Sequence, residues 1–219
     1  MLKAPKFWYL KKDTVLSRCL YPLSLLFRLG TKLRNITSHT NRFAFPVICI
    51  GNIVVGGAGK TPVAIKIGDL LKISGYNPHF ISRGYAGIVK RSTLVESWHS
   101  PKSVGDEPLL LSQIAPTWVG KNRSNSIKLA ENMGADCIIM DDGFQNPTIH
   151  KDFSIIVINA SQEFGNKRVM PAGPLRESIK KGLSRTNLII VIGAITNSLL
   201  RSIPDHIPVI QAKFKINNE

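Results

Sequence analysis

The sequence predicts an α/β protein: a doubly wound, mostly parallel sheet preceded by an N-terminal amphipathic helical segment. Three observations predict it. Short Ile/Val runs recur from residue 46 onward without polar alternation, as strands buried on both faces require. Helical patterns fall between those runs. A glycine-rich stretch, Gly51 to Thr61, joins the first run to the clearest helix. With 219 residues, 43% hydrophobic and 20% charged, the chain can bury a sizeable core without staples, which excludes disordered and low-complexity classes.

Residues 1–44 read as a basic amphipathic segment. The first 50 residues hold nine basic side chains (Lys3, Lys6, Lys11, Lys12, Arg18, Arg28, Lys32, Arg34, Arg42) and one acid, Asp13, more than half of the formal +15. Such a front end attracts polyanions, either nucleic acid or an anionic membrane surface. From Val15 to Leu29 the residues Val15, Leu16, Cys19, Leu20, Leu23, Leu26 and Phe27 recur at helical spacing. Its longest uncharged run, Cys19 to Phe27, has nine residues, well short of the ~20 that span a bilayer. The spacing fits a helix lying in a membrane surface with Phe7, Trp8 and Tyr9 as interfacial aromatics, and equally a helix facing the core. The three cysteines, an odd number, point away from a disulfide framework, and Cys49 and Cys137 sit inside apolar runs as buried hydrophobes.

Residues 45–219 carry the sheet. Strands are predicted at Pro46–Ile50, His79–Ser82, Thr117–Val119, Cys137–Met140, Phe153–Ile158, Leu188–Ile192 and Pro208–Ala212. The clearest helix is Thr61–Ser74, with Val63, Ala64, Ile67, Leu70 and Leu71 on one face and Gly75 at the left-handed cap. Others are predicted at Glu107–Ile114 and Asn125–Met133. Ligands of such a sheet bind at the carboxyl edge of its strands.

That edge holds the chemistry. After the strand come Val54, Val55, Gly56, Gly57, Ala58, Gly59, Lys60 and Thr61, then the helix. A glycine turn lets backbone N–H groups curl around phosphate while the helix start adds partial positive charge. Lys60 would reach the β and γ phosphates, and the Thr61 hydroxyl would ligate Mg²⁺. The pattern is the compact G-G-x-G-K-T form, which makes the fold P-loop NTPase-like. Asp141 and Asp142 end a buried apolar run at the same edge, placed to hold Mg²⁺ or its waters. Arg83, after the second strand, could stabilise transferring phosphoryl charge. Asp106 opens a helix, which by default makes it an N-cap, but it could also orient an acceptor hydroxyl and take its proton.

Together, VGGAGKTP, SRGYAG, GDEP, DDGFQ and PAGPLRES resemble the tetraacyldisaccharide 4'-kinase family, from the FWY near the N-terminus to the end of the chain. The resemblance implies transfer of the γ-phosphoryl of ATP, with Mg²⁺, to the 4' hydroxyl of an acylated glucosamine disaccharide in lipid A biosynthesis. It implies an enzyme, peripheral or N-terminally anchored, on the cytoplasmic face of the bacterial inner membrane, expected to be a monomer. It places Val54–Thr61 at ATP, Asp106 as catalytic base with Lys60 and Arg83 in support, and Thr61, Asp141, Asp142, Glu107 and Glu177 around the metal. It thereby favours base over cap for Asp106.

The sequence departs from the family at Asn146, where a histidine usually follows DDGFQ. The family's C-terminal portion, which supplies a histidine partner for the catalytic aspartate, is not matched, and the Pro204-Asp205-His206 triplet is no substitute. The expectation is Mg-ATP binding with poor phosphate transfer. The alternative is a membrane-associated ATPase or GTPase of the partner-switching type, whose loop usually begins with Lys where this chain has Val55. No aromatic-studded basic stretch in the core supports a nucleic-acid partner.

Overall fold

The computed structural model describes residues 4–10, 14–85, 87–89 and 91–215. Lys3, Lys11, Lys12 and Asp13 of the basic front end, and Ala86 of the SRGYAG motif, lie outside the described residues.

In chain order the elements are a 3₁₀ turn (Lys6–Tyr9), α1 (Val15–Cys19), α2 (Tyr21–Thr37), β1 (Val47–Gly51), α3 (Lys60–Ile73), β2 (Pro78–Ser82) and β3 (Thr93–Leu94). There follow α4 (Pro101–Val104), α5 (Asp106–Ser112), β4 (Thr117–Val119), α6 (Arg123–Asn132), β5 (Cys137–Asp141) and β6 (Phe153–Asn159). The last elements are α7 (Ile179–Leu183), β7 (Leu188–Ile192), α8 (Asn197–Leu200) and β8 (Val209–Ala212). Every predicted strand is present within a residue or so at each end. The short β3 and the one-turn helices α4, α7 and α8 were not anticipated, because two to five residues carry no readable period.

The chain forms two compact units: one of Met1–Ser38, Asn52–Gly59 and Ile155–Glu219, the other of His39–Gly51 and Lys60–Ser154. In the second, the strand order is β3-β4-β2-β5-β1. The pairs β2–β4, β2–β5 and β1–β5 are parallel, and only the β3–β4 pair is antiparallel. The β5 run is buried throughout, as a strand covered on both faces must be. Helix α3 packs on β5 and β1, and α6 on β2 and β4. In register, Ile50 stands opposite Asp141 and Ile81 opposite Met140, so β1, β2 and β5 end at one edge.

The other unit pairs β6, β7 and β8 in parallel and carries the N-terminal helices. The predicted Val15–Leu29 helix is two helices. Thr14 caps α1 by accepting from the Ser17 amide at 3.2 Å, and Pro22 stands in the first turn of α2, where its missing N–H costs nothing. The core-facing reading of this segment is not what is observed. In α2 only Ser24 is buried, while Leu23, Leu25, Leu26, Leu29, Leu33 and Ile36 are all exposed. At about 100° per residue these six fall on the arc opposite Ser24. The attachment is polar instead. Ser24 Oγ donates to the Val169 carbonyl (2.8 Å) and accepts from the Ala172 amide (3.1 Å), and Ser17 Oγ donates to the Ala172 carbonyl (2.7 Å). Nor is Trp8 an interfacial aromatic: it is buried, and its Nε1 donates to the Pro171 carbonyl at 3.0 Å.

Cys49 and Cys137 are buried and free, as expected, and burial pushes the Cys49 thiol up to about 11.

Candidate functional site

The acidic end of β5 is built by strand continuation. Asp141 pairs with Ile50 as the last strand residue, and the Asp142 amide donates to the Ile50 carbonyl at 3.0 Å. The chain then turns sharply, with Asp142 at φ 52, a left-handed conformation that aspartate tolerates better than most residues. Gly143 follows because nothing larger fits: a Cβ there would lie 2.8 Å from Met140 Cε and 3.3 Å from Cys49 Sγ.

Two side chains at the start of α3 meet this pair. Thr61 Oγ1 donates to Asp141 Oδ2 at 3.2 Å, and Lys60 Nζ lies 3.8 Å from Asp142 Oδ1. Asp141 is 1% exposed, and its other oxygen, Oδ1, is buried without a hydrogen-bond partner. Burial, reinforced by the negative charge of Glu107, raises its carboxyl to about 6, against the opposing pull of Lys60. A buried carboxylate with an orphaned oxygen beside a hydroxyl is a donor set that suits a hard divalent cation. Among the described residues no three Asp, Glu, His or Cys side chains converge as a self-sufficient metal cage.

Beneath the turn lies a residue that sequence reasoning missed. Arg123, at the start of α6, is 7% exposed, and its Nη2 donates to the Asp142 carbonyl at 3.1 Å. Burial lowers its pKa, and the nearby Arg83 charge adds to that effect. A cation in the first turn of a helix opposes the macrodipole, and that anomaly was the available signal.

Arg83 is exposed immediately after β2. Its loop is tied to the α4–α5 junction: the Val89 amide donates to the Ser103 carbonyl at 3.2 Å, and a Cβ on Gly105 would lie 2.7 Å from the Tyr85 carbonyl oxygen. Gly105, at φ 93, holds the N-cap position of α5 without any side-chain cap bond. The default cap reading of Asp106 is therefore corrected: it is the first helical residue, and its side chain is exposed. Asn146 closes its own turn, accepting from the Thr148 amide and hydroxyl, both at 2.8 Å, while its carbonyl accepts from Lys151 Nζ.

The loop belongs to the other unit. Gly56 (φ 119) and Gly59 (φ 83) both adopt left-handed backbone, which explains glycine there. The start of the stretch is committed within the protein, since the Val55 amide donates to the Pro174 carbonyl at 2.8 Å and Val54 bridges Leu175. From Gly56 to Gly59 no amide has a backbone partner among the described residues. Glu177 is 8% exposed, and its Oε1 accepts from Arg185 Nη2 at 2.8 Å.

Residues 16–218 match the model of the tetraacyldisaccharide-1-P 4'-kinase family. The chain belongs to this family. A tetraacyldisaccharide 4'-kinase from Rhodospirillum rubrum is 43% identical over 98% of this chain, and one from Paramagnetospirillum magneticum is 45% identical over 97%. The chain spans 66% and 65% of those relatives' lengths. A crystal structure of LpxK from Aquifex aeolicus in complex with ATP superposes with a TM-score of 0.74 at 27% identity, covering 90% of this chain and 64% of that one. The fold is accordingly that of the kinase family, an α/β P-loop NTPase-like fold, as the sequence predicts.

Proposed function

We propose that this chain is the ATP-binding portion of a tetraacyldisaccharide 4'-kinase, directing the γ-phosphoryl of ATP to the 4' hydroxyl of an acylated glucosamine disaccharide. The observation that carries the reading is the Asp141 carboxylate, buried with one orphaned oxygen and with Thr61 on the other, at the start of the helix that follows the glycine loop. Family membership and the ATP bound to the LpxK of Aquifex aeolicus support it.

In this reading the amides of Gly56–Gly59 and the ammonium of Lys60 bind phosphate oxygens, and Lys60 exchanges its contact with Asp142 for them. Thr61, Asp141 and Asp142 hold Mg²⁺, with Glu107 close enough to add negative charge. The metal, when bound, neutralises charge on the phosphates. Asp106, uncommitted to capping, orients the acceptor hydroxyl and takes its proton, and Arg83 stabilises charge on the phosphoryl group. Glu177 is the weaker metal candidate, since Arg185 already holds one of its oxygens. The partner-switching reading gains nothing, because its signature lysine position is Val55.

The outward apolar arc of α2 supports a second element: residues 1–44 lie on an anionic membrane surface and residues 45–219 form the kinase domain. No helix among the described residues is long and apolar enough to cross a membrane. An arc of six exposed apolar side chains flanked by Lys32 and Arg34 is the pattern of an interfacial helix. The test is ATP binding by calorimetry with Mg²⁺. Lys60→Ala is expected to abolish it and Asp106→Asn to leave it intact. Equal binding by wild type and Lys60→Ala overturns the assignment.

A further inference from the structure

Beside α2 the structure contains a cavity of about 250 Å³ that the catalytic reading leaves unused. Its wall includes Tyr21, Ser24 and Arg28 from α2, and Lys167, Arg168 and Ser178 from the segment to which α2 is bonded. Among the described residues, three cations and no acid line it. Arg168 is held over the Tyr21 ring at 5.5 Å, so its guanidinium is fixed in place. Lys167 takes φ 60, and its Nζ donates to Ser202 Oγ at 3.2 Å. Arg28 and Lys167 bring like charges to one concavity, and an anion relieves their repulsion.

The cavity's position says which anion. The apolar arc of α2 points away from Ser24, whereas Tyr21 and Arg28 stand on the Ser24 side. An interfacial helix sinks its apolar face about 5–10 Å toward the acyl boundary, so its protein-facing side, on a helix about 10–12 Å across, stands level with the lipid phosphates. We propose that this cavity binds the phosphate group of an anionic phospholipid of the bilayer, giving the membrane surface a specific headgroup contact as well as diffuse attraction. The proposal rests on the membrane-surface reading above. Arg28 and Lys167 supply charge-assisted hydrogen bonds to the phosphate, and the Tyr21 and Ser178 hydroxyls complete the shell.

The test uses the full chain with vesicles of phosphatidylcholine alone and of phosphatidylcholine containing phosphatidylglycerol. Wild type is expected to bind the phosphatidylglycerol vesicles at least about tenfold more tightly. Arg28→Gln and Lys167→Gln should each cut that preference well beyond the loss from a surface charge, keeping phosphatidylcholine binding and Mg-ATP binding, which shows that they fold. Lys32→Gln, the same charge change outside the cavity, should cost only the roughly fivefold of a surface charge. Inorganic phosphate should weaken binding to phosphatidylglycerol vesicles and leave phosphatidylcholine binding unchanged.

An equal loss from Lys32→Gln and Arg28→Gln overturns the cavity in favour of diffuse charge. So does an intact phosphatidylglycerol preference in Arg28→Gln combined with weaker binding of the disaccharide 1-phosphate in neutral micelles, which would give the cavity to the substrate. Wild type binding both vesicles equally overturns the headgroup site alone, whereas binding to neither overturns the membrane reading with it.

Discussion

Replacing Asp141 by Asn is expected to stabilise the metal-free protein. The carboxylate is 1% exposed, one of its oxygens has no partner, and burial together with Glu107 raises its pKa from 3.8 to about 6. Because the folded pKa lies above the unfolded one, the fold prefers the protonated form. The stability tied to that proton is fully present below about pH 4, falls as pH rises toward 6, and is gone above it. A displacement of about two pK units corresponds to roughly 3 kcal/mol at neutral pH. Asn keeps the acceptor for Thr61 and removes the buried charge. Urea denaturation at pH 7.5 with a chelator should therefore place the Asp141→Asn midpoint higher by roughly 1 M, and the two midpoints should converge near pH 4. Adding Mg-ATP should close most of that gap: wild type gains about 2.7 kcal/mol at a hundredfold excess over Kd, and the variant gains little. An Asp141→Asn protein less stable than wild type at pH 7.5 in chelator would refute the reasoning, since the carboxylate would then be satisfied by the fold rather than held for a cation.

Other outcomes follow from single contacts. Ser24→Ala strips the Val169 carbonyl and the Ala172 amide of their partner, which should cost about 1–3 kcal/mol and speed proteolysis between residues 14 and 38, measurable by mass spectrometry. Gly59→Ala meets both a left-handed φ of 83 and a Phe214 ring atom 2.6 Å from the new Cβ, and ATP affinity by calorimetry should fall at least tenfold. Gly143→Ala would press on Met140 and Cys49, lowering stability by about 1–3 kcal/mol in a thermal melt.

The strands were legible because an uninterrupted run such as Cys-Ile-Ile-Met has one comfortable place, a strand covered on both faces. The glycine loop and the paired aspartates at a strand end were legible because their neighbours in sequence are their neighbours in space. What escaped reading depends on partners far along the chain. Nothing near Ser17 and Ser24 announces that their hydroxyls bond residues 169–172 and so turn the leucines of α2 outward. The Val55 amide looked like part of a phosphate cradle until the Pro174 carbonyl was found to hold it. Arg123 went unread because burial of a guanidinium is decided by the Asp142 carbonyl it reaches. Asp106 looked like a cap because Gly105, with no side chain, can hold the cap position silently.

The most direct test of the nucleotide assignment is a calorimetric titration of the chain with ATP, with and without Mg²⁺, for wild type, Lys60→Ala and Asp141→Asn. The account expects saturable binding by wild type that tightens with Mg²⁺, no measurable binding by Lys60→Ala, and binding by Asp141→Asn that no longer responds to Mg²⁺. Three identical isotherms, or a wild-type affinity indifferent to Mg²⁺, would contradict it.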